Sequence, residues 1–466
     1  MNSKDLKVRL SYRLPIDPLE IRSMADYDMA LLLSDTWFNY DDSRKAKSNL
    51  ISEWVFDQAK GIYKFKINQE KKWSNGTPLK AEDLIWNLKR SIKLESQYGK
   101  SISALIDISS ISITNESTIL IKTTNKKPSE SFFQRMGGQP LAIVHPSDVD
   151  KSTLKVISNK VSIGPYYMSK VNSGGITLEK NKYFQSENKK SPSSIYINQA
   201  EAQFNLNDFI NEKTWENIIQ VNTFLLPETE KILKEKKLPH WTRGHDRVSL
   251  LKPINKDNLP SLKALLIRLS LKLEEMSFNN LPLNVIRATS LQPLGYPLHD
   301  KLTSTKKSSV TLPKAIRILS PSGQSSESHM KILKPIFDSM GVDTTWDFYA
   351  KSEFSRLLYS NKQYDLALFD FGVADPEPST WIGVITTNEF IHLDSGDIEK
   401  FQKVSKINNI EDEVKEFKIH LKESFEKGNY LPLFHFSTLS IGHHNIEFTL
   451  IRDLDETVNY SKIIIK

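Results

Sequence analysis

Hydrophobic and polar positions along this chain switch between two periods. Tyr63, Phe65 and Ile67 alternate with Lys64 and Lys66, the period-two pattern of a half-buried strand. Leu84, Ile85, Leu88 and Ile92 recur at helical spacing while Lys89 and Arg90 point elsewhere, so the spacing predicts a helix that starts near residue 81. Between the two lie Asn75-Gly76, a pair tolerant of positive φ, and Pro78, which fixes the chain before Glu82 and Asp83 enter the positive first turn of the helix. Further on, 108–113 and 118–123 read as two strands joined by the Asn115-Glu116-Ser117 turn, a hairpin of an antiparallel extension.

The first 190 residues alternate strands with single helices, and after Tyr183 the texture changes. Residues 200–275 read as mostly helical, with Leu262, Leu265, Leu266, Leu269 and Leu273 forming an apolar stripe that belongs in a core. Residues 301–310, KLTSTKKSSV, read as an exposed loop. A second α/β unit follows: 315–319 is a strand, 326–340 an amphipathic helix ended by Gly341, 342–348 a strand and 364–371 a third. Strand, helix and strand in that order predict a βαβ unit of a parallel sheet. Two α/β lobes result, with no internal repeat of fixed period.

Composition narrows the class. At 466 residues and 39% hydrophobic, the chain is long enough for about three domain-sized units with real cores. It has no cysteine, which removes disulfides, thiol catalysis and cysteine-based zinc sites and leaves the redox compartment open. No apolar run approaches the roughly 18 to 20 residues of a membrane span, and the longest, Met29 to Leu33, reads as a helix core. The net charge of +7, from 63 basic and 56 acidic residues, is mild and diffuse. Its densest run, Lys231 to Lys237, lacks interleaved aromatics or Gly-Arg repeats and reads as a solvated helix face, so no nucleic-acid partner is expected.

Candidate chemistry is sparse. The chain has no G-x-S-x-G elbow, H-E-x-x-H helix, phosphate loop or dinucleotide glycine fingerprint. His443 and His444 would face opposite sides of a strand and chelate one ion poorly, and His240 and His245 read as part of a polar connector. Asp365, Asp370 and Asp375 recur every five residues, which suits neither a helix face nor a glycosidase pair; a hydrolase using these carboxylates is one rival reading. Asp375 differs from the others because it follows a strand end, where open α/β sheets bind ligands. A turn-capping role is the alternative for it.

Several segments resemble one family. KWSNGTPLKAED, Lys72 to Asp83, resembles the "KWSDGxPxTAxD" hallmark of the extracellular solute-binding proteins that include the oligopeptide-, dipeptide- and nickel-binding receptors of ABC importers. LPIDP from Leu14 is like the family's "LDP", Asp35 to Tyr40 stands where it has a "YEGL"-like strand, and Ser162 to Phe184 is similar to its "GTGPYxL…LxRNxxYW" strand pair. Tyr364 to Pro378 resembles the "YDxxxxGWxADYxDP" segment that lines the ligand cleft, and Tyr430 to Ser437 the "xIPLYxxx" strand that brings the chain back to the first lobe. Departures are Phe371-Gly372 where the family has a tryptophan, Lys80 where it has a capping threonine, and no evident arginine-bearing helix near Leu262 to Glu274. From about 190 to 310 the similarity is weak.

The resemblance implies an α/β, two-lobe periplasmic-binding-protein-like fold of class II with an extra antiparallel subdomain. Lobe I would comprise 1–29, the extra subdomain 30–155, 156–239 and the return segment 440–466, with 240–439 as lobe II. It implies a receptor that closes around a peptide or similar amine-bearing solute, without catalysis, cofactor or metal. ABC permease subunits would be its membrane partner, and it would work as a monomer in the periplasm or attached to the cell surface. Asp375 would accept the ligand's α-ammonium group; Trp37, Phe371 and Trp381 are aromatic candidates for the cleft wall, with core packing as the alternative for each. The N-terminal MNSKDLKVRLSY has no apolar signal core, so an exported protein would start here after processing, whereas a cytosolic relative would look the same. A second rival is therefore a non-transport use of the fold, as a cytosolic sensor or a scaffold without ligand.

Overall fold

The computed structural model describes residues 5–10, 12, 14–21, 24–40, 46–94, 99, 102–103, 105–124, 130–138, 141–185, 191–199, 209, 217–221, 227–242, 247–276, 281, 285–292, 299–302, 309–322, 324–360, 363–372, 381–382, 385, 392–407, 409–437, 439–448, 460 and 463–465. The chain divides into two units, one of residues 1–220, 236–241 and 440–466, the other of 221–235 and 242–439. The first contributes β1 (Asp5–Leu10), β2 (Asn39–Tyr40), β3 (Ala46–Lys47), β4 (Ile51–Asp57), β5 (Ile62–Ile67), β6 (Ile106–Asn115), β7 (Thr118–Thr123), β8 (Tyr166–Asn172), β9 (Gly175–Lys180), β10 (Ser194–Gln199), β11 (Ile218–Val221) and β12 (His240–Thr242). Its helices are α1 (Met24–Leu33), α2 (Ala81–Lys93) and α3 (Glu130–Gly137). The second contributes α4 (Pro227–Lys236), β13 (Arg247–Pro253), α5 (Leu259–Glu275), β14 (Val285–Arg287), β15 (Ala315–Pro321), α6 (Gln324–Ser339), β16 (Asp343–Tyr349), α7 (Lys351–Ser360), β17 (Leu366–Gly372), α8 (Ser395–Val404), α9 (Ile410–Glu426) and β18 (Leu431–Phe436). β19 (Leu439–Gly442), β20 (Ile446–Glu447) and β21 (Ile464–Ile465) return to the first. No helix among the described residues is long and apolar enough to cross a membrane.

The first unit holds a seven-stranded sheet ordered β12-β19-β11-β1-β10-β9-β8 and a four-stranded sheet ordered β4-β5-β7-β6. β1 buries Leu6, Val8 and Leu10 and runs parallel to both β10 and β11, while β8 and β9 extend the sheet as an antiparallel hairpin. In the smaller sheet the alternation at β5 sends Tyr63, Phe65 and Ile67 inward. There Tyr63 stacks on Phe132 of α3 with ring centroids 5.0 Å apart.

The hallmark turn between β5 and α2 is held by its own residues. The Trp73 indole donates to Asp83 at 3.2 Å, and Asp83 also accepts the Lys80 N–H at 3.0 Å. An acid at the third helical position thus supplies half of a capping box although Lys80 offers no acceptor. Gly76 has φ +88, and a Cβ there would come within 2.9 Å of the Tyr183 hydroxyl. Ser74 donates its N–H to the Ser162 carbonyl at 2.7 Å, and the Ser162 N–H returns to the Ser74 hydroxyl at 3.1 Å. The Ser162 hydroxyl in turn sits 2.5 Å from the carbonyl oxygens of Leu33 and Tyr166. Beside it, a Cβ on Gly164 would lie 2.7 Å from backbone atoms of Leu32, Leu33 and Ser34, so this strand approach tolerates only hydrogen. Arg90 of α2 forms a buried ion pair with Asp17 of the LPIDP segment and donates to the Leu154 carbonyl at 2.7 Å.

The second unit is built on one six-stranded sheet ordered β14-β18-β13-β17-β15-β16. β15 runs parallel to β16 and β17, as the strand-helix-strand pattern predicts, and Gly341 takes φ +71 just past the end of α6. The leucine stripe of α5 is buried. Two expectations are corrected. The described part of 200–275 is not helix alone: beside α4 and α5 it holds β11, β12 and β13. β13 buries six consecutive residues between β17 and β18, and a strand covered on both faces shows no alternation for a periodicity reading to find. β18, all six residues buried, pairs with β13 and β14 inside the second unit, so the return to the first begins only at β19. Of the loop expected at 301–310, residues 303–308 lie outside the described ones.

Gly164→Ala is expected to destabilise the chain by about 1–3 kcal/mol, the range for forcing a methyl group into packed backbone. Urea unfolding measures it. A change below about 0.5 kcal/mol, typical of an unconstrained position, would show that the crossing over α1 is loose.

Candidate functional site

Because β15, β16 and β17 are parallel, Pro321, Tyr349 and Gly372 end on one edge of the second unit's sheet. Ligands of open α/β sheets sit at such carboxyl edges. Arg247, the first residue of β13, pairs with Gly372 on one side and Phe436 on the other, and its guanidinium lies 5.2 Å from the Phe436 ring centroid. This distance is that of a cation–π contact. Two residues inward on the same face, Ser249 pairs with Asp370 and its hydroxyl lies 2.6 Å from Nε2 of His329 on α6. The β13–β18 register shifts just after Ser249, and there the hydroxyl lies 3.2 Å from the Phe434 carbonyl oxygen and 3.3 Å from its amide nitrogen. It stands in for a missing rung. Both Ser249 and His329 are 0% exposed, so the pair is a core knot under the edge and no nucleophile open to substrate.

Asp375 lies outside the described residues. Phe371 is in β17 opposite Val248, with its side chain outside them too. Trp37 is 1% exposed in the small-sheet core, edge-on to Phe65 at 5.9 Å, and Trp381 is 3% exposed in the core of the second unit. As placed, neither tryptophan offers a face to a ligand. Asp365 is structural: it accepts from Asn255 Nδ2 at 3.0 Å and from the Arg317 N–H at 2.9 Å, just before β17 starts. Asp370 is five residues further along, about 17 Å of extended chain. That separation is beyond a glycosidase carboxylate pair and takes the geometric basis from the hydrolase reading for these two groups. His443 stacks on Phe209 at 4.4 Å with its Nε2 3.2 Å from the Phe209 carbonyl oxygen, and His240 Nδ1 lies 3.0 Å from the Leu238 carbonyl oxygen. His245 lies outside the described residues. Among the described residues no three His, Asp or Glu side chains cluster as a metal site would need.

Sequence reasoning did not find Arg247, Ser249 or His329. Their only signal was polarity inside apolar runs, in RVSLL and in the amphipathic helix, and that signal is not specific. It also passed over the polar knot of the first unit. Asp35, buried after α1, accepts from Asn49 Nδ2 at 3.1 Å, Asn39 Nδ2 at 3.3 Å and the Thr36 N–H at 2.9 Å. Burial raises its pKa above the ordinary carboxylate value, against the lowering by these bonds and by the charge of Lys71. Lys71 itself is 7% exposed, with its ammonium 5.7 Å from the Phe184 ring centroid.

Comparison with known proteins finds a partial similarity to the same family. Residues 45–214 match the family model for bacterial extracellular solute-binding proteins, family 5 middle. Haemophilus influenzae OppA in complex with the peptide RPPGFSPFR matches at 13% identity over 100% of this chain and 99% of that one, with TM-score 0.77. Campylobacter jejuni NikZ in complex with Ni(L-His) matches at 15% identity over 100% of both chains, TM-score 0.77. The ABC transporter-associated periplasmic binding protein DppA from Helicobacter pylori, in complex with the peptide STSA, matches at 12% identity over 99% of this chain and 98% of that one, TM-score 0.76. No curated protein sequence matches the chain. At these identities the structures show a common fold: the chain has the α/β architecture of these binding proteins along its whole length, and the family model covers two of the segments that carry the resemblance, Lys72 to Asp83 and Ser162 to Phe184.

Asp35 gives a pH test. A carboxyl whose folded pKa is raised above 3.8 holds its proton longer in the folded than in the unfolded chain. Its contribution to stability is therefore fully present below that value and is lost as pH rises through the folded pKa. Urea unfolding of wild type and Asp35→Asn from about pH 3.5 to about pH 6 is expected to show wild type losing stability relative to the variant as pH rises. The opposite slope would mean that the three hydrogen bonds and Lys71 outweigh burial.

Proposed function

We propose that this chain is the substrate-binding receptor of an ABC importer, closing two lobes, 1–239 with 440–466 and 240–439, around a peptide or similar amine-bearing solute. The observation that supports it most is the match of the whole chain to receptors crystallised with peptides, joined to the family-5 match over 45–214. Ligand stabilises the closed form because only there does it touch both lobes. Extended backbone contacts would give affinity without demanding a sequence. Asp375, just past β17, accepts the ligand's α-ammonium group, Phe371 stands four residues before it, and Arg247 adds a cation at the same edge. The chain binds without turnover and needs no cofactor; a single copy presents the closed form to membrane permease subunits, from the periplasm or the cell surface.

The match to NikZ with Ni(L-His), at the same TM-score as OppA, supports a second reading in which the ligand is a metal chelate bearing amine and carboxylate groups.

Native mass spectrometry of the purified chain identifies a retained ligand, and calorimetry then closes a four-corner cycle. Asp375→Asn is expected to weaken binding of a peptide with a free N-terminus by about 1.5–3 kcal/mol, roughly tenfold to more than a hundredfold. Acetylating that N-terminus costs wild type a similar amount, and the two losses do not add, because both remove one charge pair. Full additivity, or no loss in Asp375→Asn, would make Asp375 a turn residue. Saturable binding of Ni(L-His) with none of peptide would select the second reading.

A further inference from the structure

β13 carries one cation to the edge of the second unit's sheet. Every residue of the strand after the first is buried, and Arg247 is partly exposed at the rung it shares with Gly372 and Phe436. That rung lies where the parallel strands β15, β16 and β17 have their carboxyl ends, the edge at which open α/β sheets hold ligands. Its backbone is fixed from both sides, because β13 runs between β17 and β18 and Ser249, two residues inward, bonds with Phe434 and His329.

The Phe436 ring is 0% exposed, and the Arg247 guanidinium lies over it at 5.2 Å. A ring contact steadies a guanidinium without supplying an acceptor, so the N–H donors of its fork stay open to a planar carboxylate. Other arginines are committed. Arg90, Arg317 and Arg356 each pair with a carboxylate, and Arg287 donates to the carbonyls of Ala288, Pro432 and Leu433. Among the described residues Arg247 makes no ion pair and no side-chain hydrogen bond, and Asp370 on the adjoining strand forms none with it.

We propose that Arg247, steadied on Phe436, takes the carboxylate of the ligand, the C-terminal one in a short peptide, and so selects free acids over amides. Two parallel N–H donors match the two oxygens of a carboxylate, a geometry that a lysine ammonium does not offer. The inference rests on the reading given above, in which Asp375 takes the α-ammonium group. Asp375 follows Gly372 by three residues, no more than about 11 Å of chain, so a zwitterion of a few residues reaches both charges.

The test uses the whole chain and an equimolar mixture of dipeptides, tripeptides and tetrapeptides, each present as free acid and as C-terminal amide. Native mass spectrometry reads the ratio of acid to amide retained, and thermal melting of the same samples reports folding. Wild type is expected to retain acids about tenfold or more over amides, the range for one charge-assisted contact. Arg247→Gln brings the ratio to about one, and Arg247→Lys leaves it between the two, because lysine keeps the charge and loses the fork. Should Arg247→Gln melt early, Arg247→Lys makes the same comparison. A variant that merely packs worse weakens both forms alike and leaves the ratio at its wild-type value. Equal retention of acids and amides by wild type, or a wild-type ratio in the variants, overturns the carboxylate contact while the peptide reading stands. Retention of no peptide in either form overturns both.

Discussion

The first unit depends on one close approach of backbone to backbone. Gly164 crosses the end of α1 with no room for a Cβ, and Ser162 beside it ties the Leu33 and Tyr166 carbonyls together. From that crossing the chain can reach in two directions. Ser74 brings in the turn between β5 and α2, and Asn181 donates to the Gly164 carbonyl at 3.0 Å, which brings in the strand pair β8 and β9. With a larger residue at 164 the crossing would have to open, and the small sheet and the large sheet would lose their common anchor.

The motifs that carry the family resemblance are, in this unit, parts of that anchor. Trp73 and Asp83 hold each other, Gly76 makes room for Tyr183, and Asp17 meets Arg90 in the core. None of these groups is spare for a ligand. The segments most similar to the family therefore speak for architecture, and the ligand would be chosen elsewhere, at the edge where β17 ends and the sequence departs from the family with Phe371-Gly372.

Legibility followed burial. The half-buried β5, the hairpin of β6 and β7, the amphipathic α2 and the βαβ unit through α6 were readable, because one covered face leaves a period in the sequence. β13 and β18 were misread because they are covered on both sides: an apolar run carries no phase, and nothing local says which sheet it joins. At the candidate site, Ser249 and His329 come together from β13 and α6, eighty residues apart in the chain, a juxtaposition that no local pattern encodes. Asp365 is the reverse case, a conspicuous carboxylate in sequence that the fold spends on Asn255 and Arg317.

Under the proposed function, ligand binding closes two lobes. Small-angle X-ray scattering of ligand-free and ligand-saturated protein, with thermal melting on the same samples, tests it most directly. A smaller radius of gyration and a higher melting temperature are expected with ligand, since binding only to the folded state must raise its stability. Superimposable profiles and unchanged melting across peptides and Ni(L-His) would contradict it and leave a scaffold that keeps the fold without the receptor's function.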